Sequence, residues 1–251
     1  SDFDIKKYFD VFVVPVRYSF GNQDYIDKVS QSIGDFYKEL EKNPIHPKTS
    51  QPTPGDFRRQ YQYLNSYYSS IISLHIPEKL SGTYQSACVA AKNTSGANIS
   101  VIDGKNMSVG LGLCIEKIAE IIDKNNLTHD DIVLKITEII DDTQIFTAVK
   151  DLSYAVKGGR VPKIIKTISN IFNFKPILSI KTDGTMKPSG FYFGKKNVPE
   201  KLFKIVSKKI NLSFKYNVLI GHAQTKEEAE KIKLLFKNTS DIFKNIKVLE
   251  I

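Results

Sequence analysis

The apolar positions of this chain fall into short blocks separated by polar, glycine- or proline-containing breaks, and the spacing inside each block predicts its element. Val11-Phe-Val-Val-Pro-Val16 is a short apolar run fit for a buried strand, and a helical pattern follows over 33–42. Pro44, Pro47, Pro52 and Pro54 make the next section a rigid loop rather than a regular element. A helix is expected to start at Thr53-Pro-Gly-Asp56, with Thr53 as N-cap, Pro54 in the first position and Asp56 completing a capping box. The pattern then predicts strands over 70–76 and 99–102, and helices over 84–92, 107–124 and 130–141. Strands separated by helices at this spacing point to βαβ units and a parallel sheet.

The rhythm changes near Thr143. Residues 146–149 are strand-like, and 152–157 predict a short helix closed by Gly158. Over 161–172 the apolar residues Ile164, Ile168, Ile171 and Phe172 oppose Lys163, Lys166 and Asn170, which is a helical stripe. Two strand-like runs, 176–180 and 186–193, flank Thr182-Asp-Gly184, a strong hairpin signal. Helix (199–209), strand (217–221), helix (226–237) and strand (246–251) complete the chain. The fold class is therefore α/β, with a parallel-sheet domain over 1–143 and a mixed α/β domain containing a hairpin over 144–251.

Composition narrows the function. A chain of 251 residues with 41% hydrophobic and 25% charged residues has the makeup of a globular protein, not a disordered one. No apolar run is long enough to cross a bilayer, so stable membrane insertion is not expected, and the chain is read as cytoplasmic. Cys88 and Cys114 share no metal or redox spacing and are expected to pack as small apolar groups. The first residue is Ser1, not methionine, so something upstream is expected to be absent. The formal charge of +9 raises a nucleic-acid reading. Against it, all but four of the 36 basic residues are lysines, scattered along the chain, and only Arg17, Arg58, Arg59 and Arg160 offer a bidentate fork. A solvated lysine-rich surface is the better account, and no nucleic-acid partner is expected.

Three strand-to-helix connections in the first half end in hydroxyl residues: Thr49-Ser-Gln-Pro-Thr53, Ser81-Gly-Thr-Tyr-Gln-Ser86 and Asn106-Met-Ser108. In a parallel sheet such connections gather at one edge, and each opens a helix whose first N–H groups suit an anion. The plain alternative is that each hydroxyl is only an N-cap. The proline-locked loop before Thr53 favours a carboxylate or phosphate site over capping alone. Gly110 and Gly112 lie inside an apolar helix without the rest of a dinucleotide fingerprint, which predicts close packing. His46, His75, His129 and His222 have no ligand spacing, so no metal is expected; His75 sits at the end of a strand and His222 follows another, so either could face a site, but both are read as structural. Ser81 is a conceivable nucleophile for a serine esterase or thioesterase, but no base and no Gly-x-Ser-x-Gly elbow accompany it. Lys157-Gly-Gly-Arg160 is either a glycine cap with an exposed arginine or an arginine held at a turn to meet a phosphate-bearing partner.

Taken in order, these motifs resemble the DegV family. The resemblance rests on Lys48-Thr-Ser-Gln-Pro-Thr-Pro-Gly-Asp-Phe57, Lys79-Leu-Ser-Gly-Thr-Tyr-Gln-Ser-Ala87, Ser108-Val-Gly-Leu-Gly112, Leu152-Ser-Tyr-Ala-Val-Lys-Gly-Gly-Arg160 and Lys175-Pro-Ile-Leu178. It runs from about Val13 to at least His222. It implies a two-domain α/β protein that holds a long-chain fatty acid between its domains, with no other cofactor and no catalysis of its own. In some bacteria such proteins are the binding subunits of fatty acid kinase, which makes acyl phosphate for phospholipid synthesis. Carried over by motif, Thr49 and Ser81 would hold the carboxylate, and Arg160 would lie on the side that meets the kinase. The chain departs from the family pattern in three places. The usual Thr-Asp-Ser opening is not seen unless Ser1 is its remnant, Asp103-Gly104 stands where Asp-Ser is usual, and no His-x-Gly-Pro-Gly precedes Ile251.

Overall fold

The computed structural model describes residues 10–124, 126–161, 174–193 and 197–251. Strands β1 (Arg17–Phe20), β2 (Gln23–Ile26) and β3 (Lys48–Ser50) form an antiparallel sheet in the order β2-β1-β3. The strand expected over 11–16 is not formed: pairing starts at Arg17, two residues beyond Pro15. Pro15 has no N–H to give a ladder, and Phe12 and Val13 are exposed instead of buried. The proline-rich loop, expected to be irregular, contributes the three residues of β3. Helix α1 (Ile33–Lys42) begins at Ser32, whose hydroxyl accepts the Asp35 N–H, and it closes this sheet through aromatic contacts of Phe36 with Tyr18 and Phe20.

Helix α2 (Pro54–Asn65) starts with the predicted capping box, in which Thr53 and Asp56 satisfy each other's N–H groups. Strands β4 (Ile71–His75) and β5 (Ile99–Asp103) pair in parallel from Ile71–Ile99 to His75–Asp103. Helix α3 (Thr83–Lys92) connects them, and α4 (Ser108–Lys124) and α5 (His129–Asp142) follow. Strand alternation sorts the core into two sides. Ile71, Ile99 and Val101 pack with Phe57, Tyr61 and Leu64 of α2 and Ala87 and Ala90 of α3. Ile72, Leu74 and Ile102 pack on the opposite side with Cys114, Ile118, Ile136 and Ile140 of α4 and α5. Cys114 is fully buried, as expected of a thiol used as an apolar group.

In the second half, β6 (Phe146–Ala148), β7 (Phe174–Ile180) and β8 (Met186–Phe193) form an antiparallel sheet in that order. The predicted hairpin joins β7 to β8, and Gly184 takes the left-handed conformation (φ +81°) that its turn requires. The short helix α6 (Ser153–Lys157) follows β6 and is capped by Gly158. The helix expected over 161–172 lies outside the described residues beyond Val161, and Lys163 and Lys166 with it. Helix α7 (Val198–Ser207) precedes the parallel pair β9 (Tyr216–His222) and β10 (Phe243–Glu250), which α8 (Lys226–Thr239) connects.

Glycines let the halves meet. A side chain at Gly221 of β9 would overlap Val109 at the start of α4. At Gly110 a Cβ would come within 2.8 Å of Asn106 Oδ1 and 3.2 Å of Ile145 Cβ, so this glycine serves close packing, as its sequence context implies. Lys247 of β10 pairs with Glu116 of α4, and the Tyr37 hydroxyl donates to the Ile251 carbonyl at 3.0 Å. No helix among the described residues is long and apolar enough to cross a membrane.

Candidate functional site

Parallel pairing places the carboxyl ends of β4 and β5 side by side, and four separate segments converge on the connection that leaves β4. The first is the loop after β3. Gln51 donates from Nε2 to Ser86 Oγ at 3.3 Å, and its amide lies so close to Gly82 that any side chain there would overlap it. Thr49, exposed on β3 opposite Tyr18, thus belongs to a segment anchored on the Ser81-Gly82-Thr83 turn. The second is the Gly-Gly-Arg turn, where Arg160 Nε donates to the Leu80 carbonyl at 3.2 Å and Nη1 to the carbonyl of Gly158. Gly159 (φ +78°) makes that reversal possible. The third is the β7–β8 turn: a Cβ on Gly184 would come within 3.2 Å of Pro77 Cβ and 3.8 Å of Lys79 Cγ. The fourth is the end of β5, where Gly104 N–H donates to the His75 carbonyl at 2.8 Å.

The three helix starts differ in what they leave free. At α2 the capping box consumes the Asp56 and Thr53 N–H groups, and Pro54 has none, so Thr53 is a cap and not a ligand group. At α3 the residue before the helix is Gly82, which offers no side-chain cap. Ser81 Oγ instead accepts the Thr83 N–H at 3.2 Å and lies 2.7 Å from Thr83 Oγ1. The first helical bond runs from Ser86 N–H to the Gly82 carbonyl, so the amides of Tyr84 and Gln85 have no acceptor within the helix. Two adjoining hydroxyls and two free amides at a positive helix end suit a carboxylate. At α4, Asn106 is buried and donates to the Thr143 carbonyl at 3.3 Å, which ties that connection to the end of α5.

His75 floors this region and is held neutral. Burial pushes its pKa down from 6.5 to about 4. Tyr61 OH donates to Ser73 Oγ at 2.6 Å, so the Ser73 proton is free to go to His75 Nε2, 2.8 Å away. Burial, opposed in part by the Ser73 hydrogen bond, raises Tyr61 to about 12. Phe57 stands edge-on to the imidazole at 5.2 Å. His75 is thus a buried, neutral histidine held through Nε2. His222 is also buried, with an unpartnered Nδ1. Beside Lys79, Asp183 is held below the usual carboxylate range by the Thr185 hydroxyl and N–H, with smaller help from Lys181 and Lys79.

Thr49, Ser81 and Arg160 therefore come from segments that touch one another. Arg160 differs from the expectation in one respect: part of its guanidinium is spent on carbonyls of its own chain, which makes it a brace for the Leu80–Ser81 connection as well as an exposed cation. Sequence reasoning missed Gln51, whose role depends on a close approach to Gly82 that no periodicity signals. It also missed the hairpin turn's approach to Pro77. Among the described residues no group of His, Cys, Asp and Glu is placed to hold a metal ion.

The family model described as "Uncharacterised protein, DegV family" matches residues 2–251. The chain belongs to the DegV family. Curated DegV domain-containing relatives include one from Staphylococcus aureus (strain COL), 30% identical over 234 residues, covering 90% of this chain and 80% of the relative. Another, from Clostridium perfringens (strain 13 / Type A), is 34% identical over 195 residues, covering 77% and 68%. Among solved structures, a DegV lipid-binding protein from Thermotoga maritima superimposes with a TM-score of 0.82 at 27% identity, covering 98% of this chain and 84% of that one. A fatty-acid-binding DegV protein from Thermus thermophilus gives a TM-score of 0.88 at 23% identity, covering 98% and 87%. The fatty acid kinase B3 protein of Streptococcus pneumoniae, loaded with linoleic acid, gives 0.80 at 19% identity, covering 94% and 83%. These likenesses establish the α/β DegV fold.

Proposed function

We propose that this DegV protein binds one long-chain fatty acid between a first domain (1–143) and a second (144–251) and presents the carboxylate to a fatty acid kinase. The observation that carries the reading is the start of α3. There Ser81 and Thr83 hydroxyls adjoin free helix amides, and the loop bearing Thr49 is pinned beside them by Gln51. A carboxylate received there needs no lysine, because the helix end supplies both hydrogen-bond donors and positive potential. Thr49 and Ser81 are assigned to the carboxylate and Arg160 to the kinase side. DegV relatives with bound heptadecanoic acid and linoleic acid support the ligand class, and the B3 protein of a fatty acid kinase supports the partner. The role is that of a carrier with no catalytic residue, and the lipid is its only ligand.

An esterase using Ser81 is the competing reading. Ser81 Oγ meets Thr83, and among the described residues no imidazole or carboxylate bonds to it. The test is reconstitution: the chain, a bacterial fatty acid kinase catalytic subunit, ATP and oleate, with hydroxylamine trapping of acyl phosphate. Product is expected only when the chain is present. Product formed equally well without it would refute presentation, and Ser81-dependent hydrolysis of a chromogenic ester would favour the esterase.

A further inference from the structure

The amino-terminal edge of the β9–β10 unit carries a turn, residues 211–215, that links α7 to β9. Polar groups fix it. Tyr216 OH accepts the Asn211 N–H at 3.0 Å and donates to the Asn211 carbonyl at 3.2 Å. Asn211 Oδ1 accepts the Ser213 N–H at 3.0 Å, and the Asn211 carbonyl also accepts the Phe214 N–H at 3.1 Å. On this braced turn Leu212 is 77% exposed and Phe214 is 61% exposed. Neither residue belongs to a core cluster, yet the turn holds both out into solvent. Large apolar side chains on a fixed turn have little backbone entropy to lose on docking.

The surrounding charge is mainly positive. Lys201, Lys204 and Lys208 share the exposed outer face of α7, while Leu202, Ile205 and Val206 pack inward. Lys215 and Lys244 are exposed on either side of the paired Tyr216 and Phe243; the exposed acids nearby are Asp241 and, one turn before Lys204 on α7, Glu200. Cations ringing an apolar tip are complementary to an anionic interface with a hydrocarbon boundary beneath it. A second copy of the same turn would bring lysines against lysines. A nucleic acid would use the charges but gain little from Leu212, and this face has no arginine fork.

We infer that the lysine-ringed Leu212–Phe214 turn docks onto an anionic lipid surface, with the two apolar side chains in the headgroup boundary and the lysines against phosphates. The turn lies at the end of β9 away from Gly221, where α4 packs. The inference does not depend on the bound ligand. Its test is sedimentation of the full chain with phosphatidylcholine vesicles, with and without phosphatidylglycerol. Salt-sensitive binding to the anionic vesicles alone is expected. Leu212→Ser with Phe214→Ser, and separately Lys204→Glu with Lys208→Glu, should each weaken it about tenfold or more, with the thermal midpoint unchanged. No binding to anionic vesicles, or binding that the serine pair retains in full, overturns the inference. So does concentration-dependent self-association abolished by the serine pair, or oligonucleotide binding without vesicle binding. Fatty acid content is measured in parallel, so that a native chain that carries its ligand but does not bind anionic vesicles refutes this inference and leaves the proposed function standing.

Discussion

His75 permits a prediction with a magnitude. It is 6% exposed at the carboxyl end of β4, and burial lowers its pKa from 6.5 to about 4. Between those values the unfolded chain binds a proton that the folded chain refuses. Stability is therefore full above pH 6.5, falls as the pH drops through this window, and stops falling on this account near pH 4. At about 1.4 kcal/mol per tenfold change in proton affinity, the displacement corresponds to roughly 3 kcal/mol. That is a large share of the 5–15 kcal/mol or so that holds a typical domain folded. The perturbation is His75→Gln, which can keep a hydrogen bond to Ser73 but cannot take up the proton. Urea unfolding at intervals from neutral pH to about pH 4 should show a steep loss of stability in the native chain and a loss shallower by about 3 kcal/mol in the variant. Identical profiles for the two proteins would refute the argument that burial of a neutral His75 shapes acid stability.

Three further predictions concern the site. Ser81→Ala and Thr49→Val should each weaken fatty-acid binding about ten- to a hundredfold, since a hydrogen bond to a charged group contributes about 1.5–3 kcal/mol. Their ligand-free unfolding should shift by no more than about 1 kcal/mol, read by calorimetry with and without ligand. Arg160→Ala should lower acyl-phosphate formation with a kinase at saturating lipid and cost about 1 kcal/mol of stability for the lost Leu80 bond, with Arg160→Lys rescuing only in part because an ammonium lacks the fork. Gly184→Val should destabilise by about 2 kcal/mol or more, because a branched residue is strained at φ +81° and its Cβ would crowd Pro77; thermal unfolding checks it.

Local signals carried most of this fold in the sequence. The capping box at Thr53–Asp56, the hairpin at Thr182-Asp-Gly184 and the parallel β4–β5 pair follow from side-chain chemistry acting within a few residues or from the spacing of strands separated by helices. What was not legible depended on partners distant in sequence. The run 11–16 has a strand's composition, but Pro15 breaks its ladder, and the pairing of β1 with β3 across the proline-rich loop has no local mark. At the site, motif order put forward Thr49, Ser81 and Arg160 as candidates. The contacts that assemble their segments were not legible: Gln51 against Gly82 and Arg160 on Leu80 are tertiary contacts between ordinary loop residues. The cap at Thr53 also shows why hydroxyls at helix starts mislead singly, since one of the three proved to satisfy only its own helix.

The central claim is that this DegV protein is a fatty-acid carrier. It is tested most directly by organic extraction and mass spectrometry of the protein purified from bacteria, alongside a Thr49→Val/Ser81→Ala double variant. The account predicts long-chain fatty acid in the native protein at a substantial fraction of one per chain, and a clear drop in the variant. Extracts free of fatty acid, together with no uptake when it is added, would contradict it.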